Sequence, residues 1–204
     1  GAVLLELNPV QAIVSDINPE LINMYEQIKS NVEDVISYLN TLDYWHDEAN
    51  DKKAYYYRIR EDFNVSLRCN TPSQAARFIY LNKHCFNGLY RVNTRGKFNV
   101  PTGRYKKPMI CNKELILANH ELLNSVELII REPGDYKCIM RNLSRTSTNF
   151  IYLDPPYRPL SVTSYFKEYS ANPFGDKEQV ELKLFCDHLT AKGCFIMESN
   201  SESR

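Results

Sequence analysis

Residues 149–160 read NFIYLDPPYRPL. Phe150 to Leu153 is an apolar run of strand length that ends abruptly in Asp154-Pro155-Pro156-Tyr157. A short apolar run bounded by turn residues fits a buried strand. Two consecutive prolines remove two backbone donors and fix two φ angles, so the loop after the strand is stiff. A plain turn would account for the aspartate and the prolines. It would not account for the buried strand in front of them or the tyrosine behind. Average residue usage produces this tetrapeptide by chance in roughly one chain of this length in a thousand, which favours a loop built to hold something.

Working outward, Val10 to Val14 reads as a second strand. Asn18 then stands as an N-cap and Pro19 as a first helical residue. Apolar residues from Leu21 to Leu39 at helical spacing predict one helix. KKAYYYRIREDFN, within the polar stretch 43–70, also reads as helical, and Thr71-Pro72-Ser73-Gln74 has capping-box form at the head of a helix through Leu81. After residue 113 the pattern is regular: helix 113–124, strand Val126 to Ile130, a short helix after Asp135, strand Phe150 to Leu153, helix from Asp176 to about Leu189, strand Cys194 to Met197. Strands alternating with helices predict an α/β fold with a mostly parallel sheet. Residues 43–112 interrupt the alternation and read as an inserted subdomain between 1–42 and 113–204.

Composition sets bounds. The chain has 204 residues, 43% hydrophobic and 25% charged, ordinary for a globular domain with or without an insertion. Lys+Arg and Asp+Glu both number 25, so net charge gives no sign of a polyanionic partner. The six cysteines are scattered without a C-x-x-C pair and there are only four histidines. Neither a zinc site nor a disulfide framework is expected, and a reducing, cytoplasmic setting is. No stretch is apolar for long enough to span a membrane, and no signal peptide is expected.

In such a sheet, ligands sit outside the carboxyl ends of the strands, where Asp16 and Asp154 both fall. Asp16 has two readings, as a second helix cap or as the acid that bonds ribose hydroxyls; Asn18 already fills the cap, which tilts towards the ligand. From Lys83 to Lys113 there are eight Lys/Arg and no Asp or Glu. A solvated face is the bland reading of such a run. The glycines and aromatics among the charges point instead to a basic hairpin facing phosphate.

These residues carry a resemblance. DPPY looks like the catalytic motif of the amino-methyltransferases that use S-adenosylmethionine. The whole chain is similar to the Dam-type DNA adenine-N6 methyltransferases, with the cofactor half before a DNA-recognition insertion and DPPY after it. The matching pieces are SDINPELI, ARFIYLNKHCFNGLYRVNTRGKFNVPTGRYKKP, GDY, DPPY, FGDKEQVEL and SNS. The long central block is the most specific of them. The resemblance implies a class I S-adenosylmethionine-dependent methyltransferase fold, Rossmann-like, acting on adenine N6 in a short duplex site, GATC. It also implies double-stranded DNA as partner, no metal, a monomer, and a place in restriction-modification or in DNA replication and repair. The family's lysine-containing cofactor segment and most of its aromatic-Gly-x-Gly loop are unmatched, with Gly1 resembling the last glycine of that loop. The family's final strands are unmatched beyond Arg204. The expectation is therefore an internal piece lacking both ends.

Residue by residue, the resemblance places catalysis on Asp154, Pro155, Pro156 and Tyr157. The adenine amino nitrogen is a poor nucleophile because its lone pair is delocalised into the ring. Asp154 accepting one N6 hydrogen and the Pro155 carbonyl the other would free that pair, while Tyr157 offers a face to the flipped base. Asp16 would take the cofactor's ribose, Ile17 would pack on its adenine, and Asp135 would hold the adenine amino group, with Tyr136 beside it also binding cofactor; for Asp135, capping the following helix is an equally good local reading. In the basic block, Phe86 and Asn87 lie where the family wedges the stack, and Arg91 where it reads a guanine edge. Leu89 and Pro101 correspond to contacts with thymine methyls. Arg104, Lys106 and Lys107 would hold phosphates. Ser199-Asn200-Ser201 reads as pocket support, and His84 and His188 as ordinary helix residues. An RNA or protein amino-methyltransferase with the same chemistry, and a non-catalytic DNA-binding module, both stay open at this level.

Overall fold

The computed structural model describes residues 2–105, 108–131, 134–144, 148–156 and 174–200. The chain divides into two compact units, 1–91 with 97–136 and 92–96 with 137–204. In the first unit a short helix α1 (Ala2–Leu7) precedes strand β1 (Gln11–Val14). Helices α2 (Pro19–Ser30), α3 (Val32–Glu48), α4 (Lys52–Val65) and α5 (Pro72–His84) follow, then α6 (Lys113–Ser125) and β2 (Glu127–Ile130). β1 and β2 pair in parallel, with Gln11 opposite Glu127 and Val14 opposite Ile130.

The helix starts are written locally. Asn18 Oδ1 accepts the Glu20 amide at 3.1 Å with Pro19 behind it, and Asp51 Oδ1 accepts the Ala54 amide at 2.9 Å. Thr71 Oγ1 accepts the Gln74 amide at 3.3 Å, but the expected capping box is only half made. The Gln74 side chain turns inward, donating to Glu20 at 2.9 Å and to the Phe63 carbonyl at 3.1 Å. The expected single helix from Pro19 to Leu39 is also corrected. It breaks at Asn31 (φ −137°, ψ 42°), which ends α2 through its amide on the Gln27 carbonyl and starts α3 through its own carbonyl. Apolar spacing continues across the break, so only the asparagine marks it.

Burial follows the helical faces. Val35, Ile36 and Leu39 of α3, Tyr56, Ile59 and Phe63 of α4, and Ala75, Ala76 and Tyr80 of α5 form one core, joined by Phe98, Val100, Ile110 and Ile116. The pair Ala75-Ala76 lets α5 approach its neighbours closely. α3 runs unbroken through positions 42 and 43, so this core draws on residues both before and after them. A smaller cluster of Ile28, Leu123, Val126 and Leu128 ties α2 and α6 to β2.

In the second unit β3 (Phe150–Leu153) and β4 (Phe195–Glu198) pair in parallel, and α7 (Asp176–Ala191) lies between them in sequence. A 3-10 stretch, Tyr136–Asn142, stands where a short helix was expected. Ile151 and Leu153 are buried while Phe150 and Tyr152 are exposed. The apolar run thus alternates as a strand buried on one face only, where a buried strand was expected. The described residues give a mixed α/β chain with two small parallel strand pairs.

Candidate active site and nucleic-acid interface

The carboxyl edge of β1 and β2 carries the first group of residues. Asp16 Oδ1 accepts the Asn18 amide at 2.7 Å, and the Asp16 carbonyl accepts the Gly134 amide at 3.0 Å. These two bonds bring Asp16, Ile17 and the Gly134-Asp135-Tyr136 turn to one edge. The Asp16 carboxylate spends one oxygen on the turn that leads to the α2 cap. Ile17 is 65% exposed, an apolar side chain standing open beside that acid. Tyr90 reaches the same edge and is hydrogen-bonded to the Asn18 side chain. Burial, then the Glu20 carboxylate, pushes its hydroxyl up to about 12, so it stays protonated.

In the second unit, Asp154 stands at the carboxyl end of β3. The Ser199 hydroxyl, just beyond β4, donates to Asp154 Oδ1, and the Ser199 amide donates to the Leu153 carbonyl at 3.0 Å. Gln179 on α7 donates from Nε2 to the Pro156 carbonyl at 3.3 Å. α7 itself begins where Glu178 accepts the Gly175 amide at 2.8 Å. The Asp-Pro-Pro loop is thus held from β4 and from α7, on an exposed edge.

Residues 84–91 and 97–105 of the basic block lie on the large core of the first unit. Its two arms run side by side: Cys85 bridges antiparallel to Thr102, the Phe86 amide donates to the Pro101 carbonyl at 2.9 Å, and the Gly103 amide to the His84 carbonyl at 2.7 Å. Asn99 donates its amide to the Arg91 carbonyl at 3.1 Å. Within the first arm, Phe86–Gly88 form a 3-10 turn with Asn87 and Gly88 at positive φ, 54° and 62°. Asparagine and glycine tolerate that region best. Asn82 closes the turn, donating to the Gly88 carbonyl at 2.8 Å. The result lifts Phe86 and Leu89 outward, 50% and 48% exposed, with Pro101 and Arg104 also exposed and Arg91 half-buried. Arg91 Nε donates to Asn99 Oδ1 at 2.7 Å. Gly1, Lys106, Lys107 and Tyr157 lie outside the described residues.

Gln179, Asn99 and Tyr90 are among the residues with a part in these sites to which the sequence alone assigns no role. Gln179 sits inside FGDKEQVEL and Asn99 inside FNVP, both quoted for resemblance alone, and Tyr90 was passed over between Leu89 and Arg91. Local sequence offers no signal for Gln179, because its partner is 23 residues away. Among the described residues no group of three or more His, Cys, Asp or Glu is placed to hold a metal ion, and no helix is long and apolar enough to cross a membrane.

The family model for the D12 class N6 adenine-specific DNA methyltransferase matches residues 1–204. The chain is 41% identical over 204 residues to the type II methyltransferase M1.LlaDCHI of Lactococcus lactis subsp. cremoris, covering 100% of the chain and 69% of that protein. It is 38% identical over 194 residues to the type II methyltransferase M.MjaIII of Methanocaldococcus jannaschii, covering 94% and 65%. To a DNA adenine methylase of Serratia marcescens it is 36% identical over 192 residues, covering 94% and 67%. The chain spans about two thirds of the length of these relatives.

Proposed function

The chain belongs to the D12 class of N6 adenine-specific DNA methyltransferases, and from that premise we propose that it transfers a methyl group to the N6 of adenine in a short duplex site. The observation that carries the chemistry is Asp154, held at the end of β3 by the Ser199 hydroxyl. With Oδ1 engaged, Oδ2 is left to accept an N6 hydrogen, and the Pro155 carbonyl accepts the other. Withdrawing both hydrogens from the ring plane localises the lone pair on nitrogen. Positioning and fixed dipoles do the work. Tyr157 is the face on which the flipped base stacks.

The methyl donor is S-adenosylmethionine, which supplies an electrophilic sulfonium methyl. The residues at the β1–β2 edge suit it: Asp16 presents an acid to ribose hydroxyls, exposed Ile17 a surface for a purine, and Asp135 with Tyr136 the opposite wall. Residues 43–112 serve as the DNA-recognition insertion. Arg91 reads a guanine through O6 and N7. Phe86 and Asn87 enter the stack, Leu89 and Pro101 touch thymine methyls, and Arg104, Lys106 and Lys107 neutralise phosphates. The site proposed is GATC, on the likeness of the 83–113 block to Dam-type enzymes. The protein works in the cytoplasm as a monomer.

The test is transfer of a labelled methyl group to duplex DNA, single-stranded RNA and protein presented together. Label in N6-methyladenine of GATC duplexes alone is expected. Label in RNA or protein would overturn the substrate class, and label in duplexes regardless of sequence would overturn the site.

A further inference from the structure

We propose that Asn99 sets base specificity by gripping the inner edge of the Arg91 guanidinium, so that only its outer pair of donors faces DNA. This rests on the reading of Arg91 as the guanine contact. A guanidinium carries five N–H donors in two usable forks, one formed by Nε and Nη2 and one by Nη1 and Nη2. Asn99 takes the first fork. Arg91 Nε donates to Asn99 Oδ1 at 2.7 Å, and Nη2 approaches the Asn99 carbonyl at 3.5 Å. Two N–H on Nη1 and one on Nη2 remain, and the adjacent pair, one from each nitrogen, is parallel and coplanar. That pair matches O6 and N7 of guanine in the major groove.

Asn99 can act as a clamp because it is itself fixed. Phe98 and Val100 on either side are buried at 3% and 1% exposure, which turns Asn99 to the opposite face. Asn64 on α4 holds the Phe98 peptide from both sides, donating to its carbonyl at 3.0 Å and accepting its amide at 2.8 Å. Tyr56, also on α4, donates its hydroxyl to the Val100 carbonyl at 2.9 Å. The Asn99 amide meets the Arg91 carbonyl at 3.1 Å and sets the register of the two arms. A rigid helix thus fixes a strand residue, and that residue fixes the guanidinium. An Arg91 released from this grip keeps its charge but turns freely towards phosphate, adenine N7 or thymine O4, which spreads its affinity over many sequences. Asn99 is a positioning residue, and what it contributes is discrimination.

The experiment compares equilibrium binding to a cognate duplex with binding to duplexes in which one base pair at a time is replaced. Wild-type, Asn99→Ala, Asn99→Asp, Arg91→Ala and the double alanine variant are measured, at two salt concentrations. Asn99→Ala is expected to lose about tenfold in discrimination at one base pair, the same base pair that Arg91→Ala affects. Its non-specific affinity and salt slope should stay as in the wild type, because no phosphate contact is removed. Asn99→Asp keeps an acceptor oxygen in place and should keep the discrimination, and the double variant should match Arg91→Ala. Asn99→Leu, which has similar bulk and no acceptor, stands in should the alanine variant unfold. Equal weakening on every duplex by Asn99→Ala, with Arg91→Ala still relaxing one base pair, would overturn the clamp alone. Arg91→Ala relaxing no base pair would overturn the guanine reading and the clamp with it.

Discussion

The Ser199 hydroxyl donates to Oδ1 of Asp154 while the Ser199 amide donates to the carbonyl of Leu153, so one residue grips the end of β3 by both its side chain and its backbone. The acid is oriented by the neighbouring strand and not by its own loop alone. Asp154 therefore has one oxygen engaged, and the proposed chemistry depends on where the other one points.

Asp154→Ala is expected to lower turnover by on the order of 10²–10³, the usual effect of removing one preorganised hydrogen-bonding group from a reacting centre. Asp154→Asn keeps a carbonyl oxygen on the same skeleton and should stay measurably active, well above alanine. Single-turnover methyl transfer to a duplex oligonucleotide measures both, with DNA binding followed in parallel and expected unchanged. Near-normal turnover of the alanine variant would reduce Asp-Pro-Pro-Tyr to a turn.

Ser199→Ala should lower kcat about tenfold with KM for DNA unchanged, because a hydrogen bond to a charged group is worth about 1.5–3 kcal/mol and only part of it bears on the aim of the acid. Ser199→Thr keeps the hydroxyl and should restore most of the rate. A threonine variant as slow as the alanine one would show that packing, and not the hydroxyl, matters there.

Glu20 predicts a stability effect. It is 1% exposed at the start of α2, accepting the Arg68 amide at 2.7 Å and the Gln74 side chain at 2.9 Å. Glu20→Ala strips the Arg68 amide of its acceptor, whereas Gln74 keeps the Phe63 carbonyl. The cost should be about 1–3 kcal/mol, read as a lower urea midpoint. An unchanged midpoint would mean that water or another acceptor replaces the carboxylate without loss.

His84 predicts a pH effect. Its Nδ1 lies 3.0 Å from the Tyr80 carbonyl, which makes Nδ1 the donor and leaves Nε2 buried without a protein partner. Burial, with the His46 ring 4.2 Å away, holds its pKa down at about 4. An unfolded histidine titrates near 6.5. Above about 6.5 neither state is protonated there and the residue adds no pH dependence. Between about 6.5 and 4 only the unfolded chain takes up the proton, so stability falls as pH falls. Urea midpoints at pH 7.5 and 5 should drop less in His84→Gln than in the wild type, and an equal drop in both would contradict the assignment.

Much of this chain was legible because its signals are local. Asn18, Pro19 and Thr71 announce helix starts within four residues of themselves, and Asp154 announces a strand end in the same way. The break at Asn31 was hidden because Ile28, Val32 and Val35 keep helical spacing across it. The half-made box at Thr71 was hidden because Gln74 had a better partner in Glu20, 54 residues away. The role proposed for Arg91 rests on the likeness of its block to Dam-type enzymes. The Arg91–Asn99 bond was not legible, since it depends on an arm register that Asn64 and Tyr56 impose from α4.

The grip of α4 on residues 98–100 has a consequence for how copies of the chain meet. An extended segment at a surface normally offers a row of unpaired amides and carbonyls on which a second chain can build a strand. Here the Phe98 peptide is closed by Asn64, the Val100 carbonyl by Tyr56 and Arg60, the Asn99 amide by Arg91, and Pro101 has no amide to offer. Side chains of a helix stand where a neighbouring strand would, so the segment keeps its extended shape without the open seam that invites aggregation.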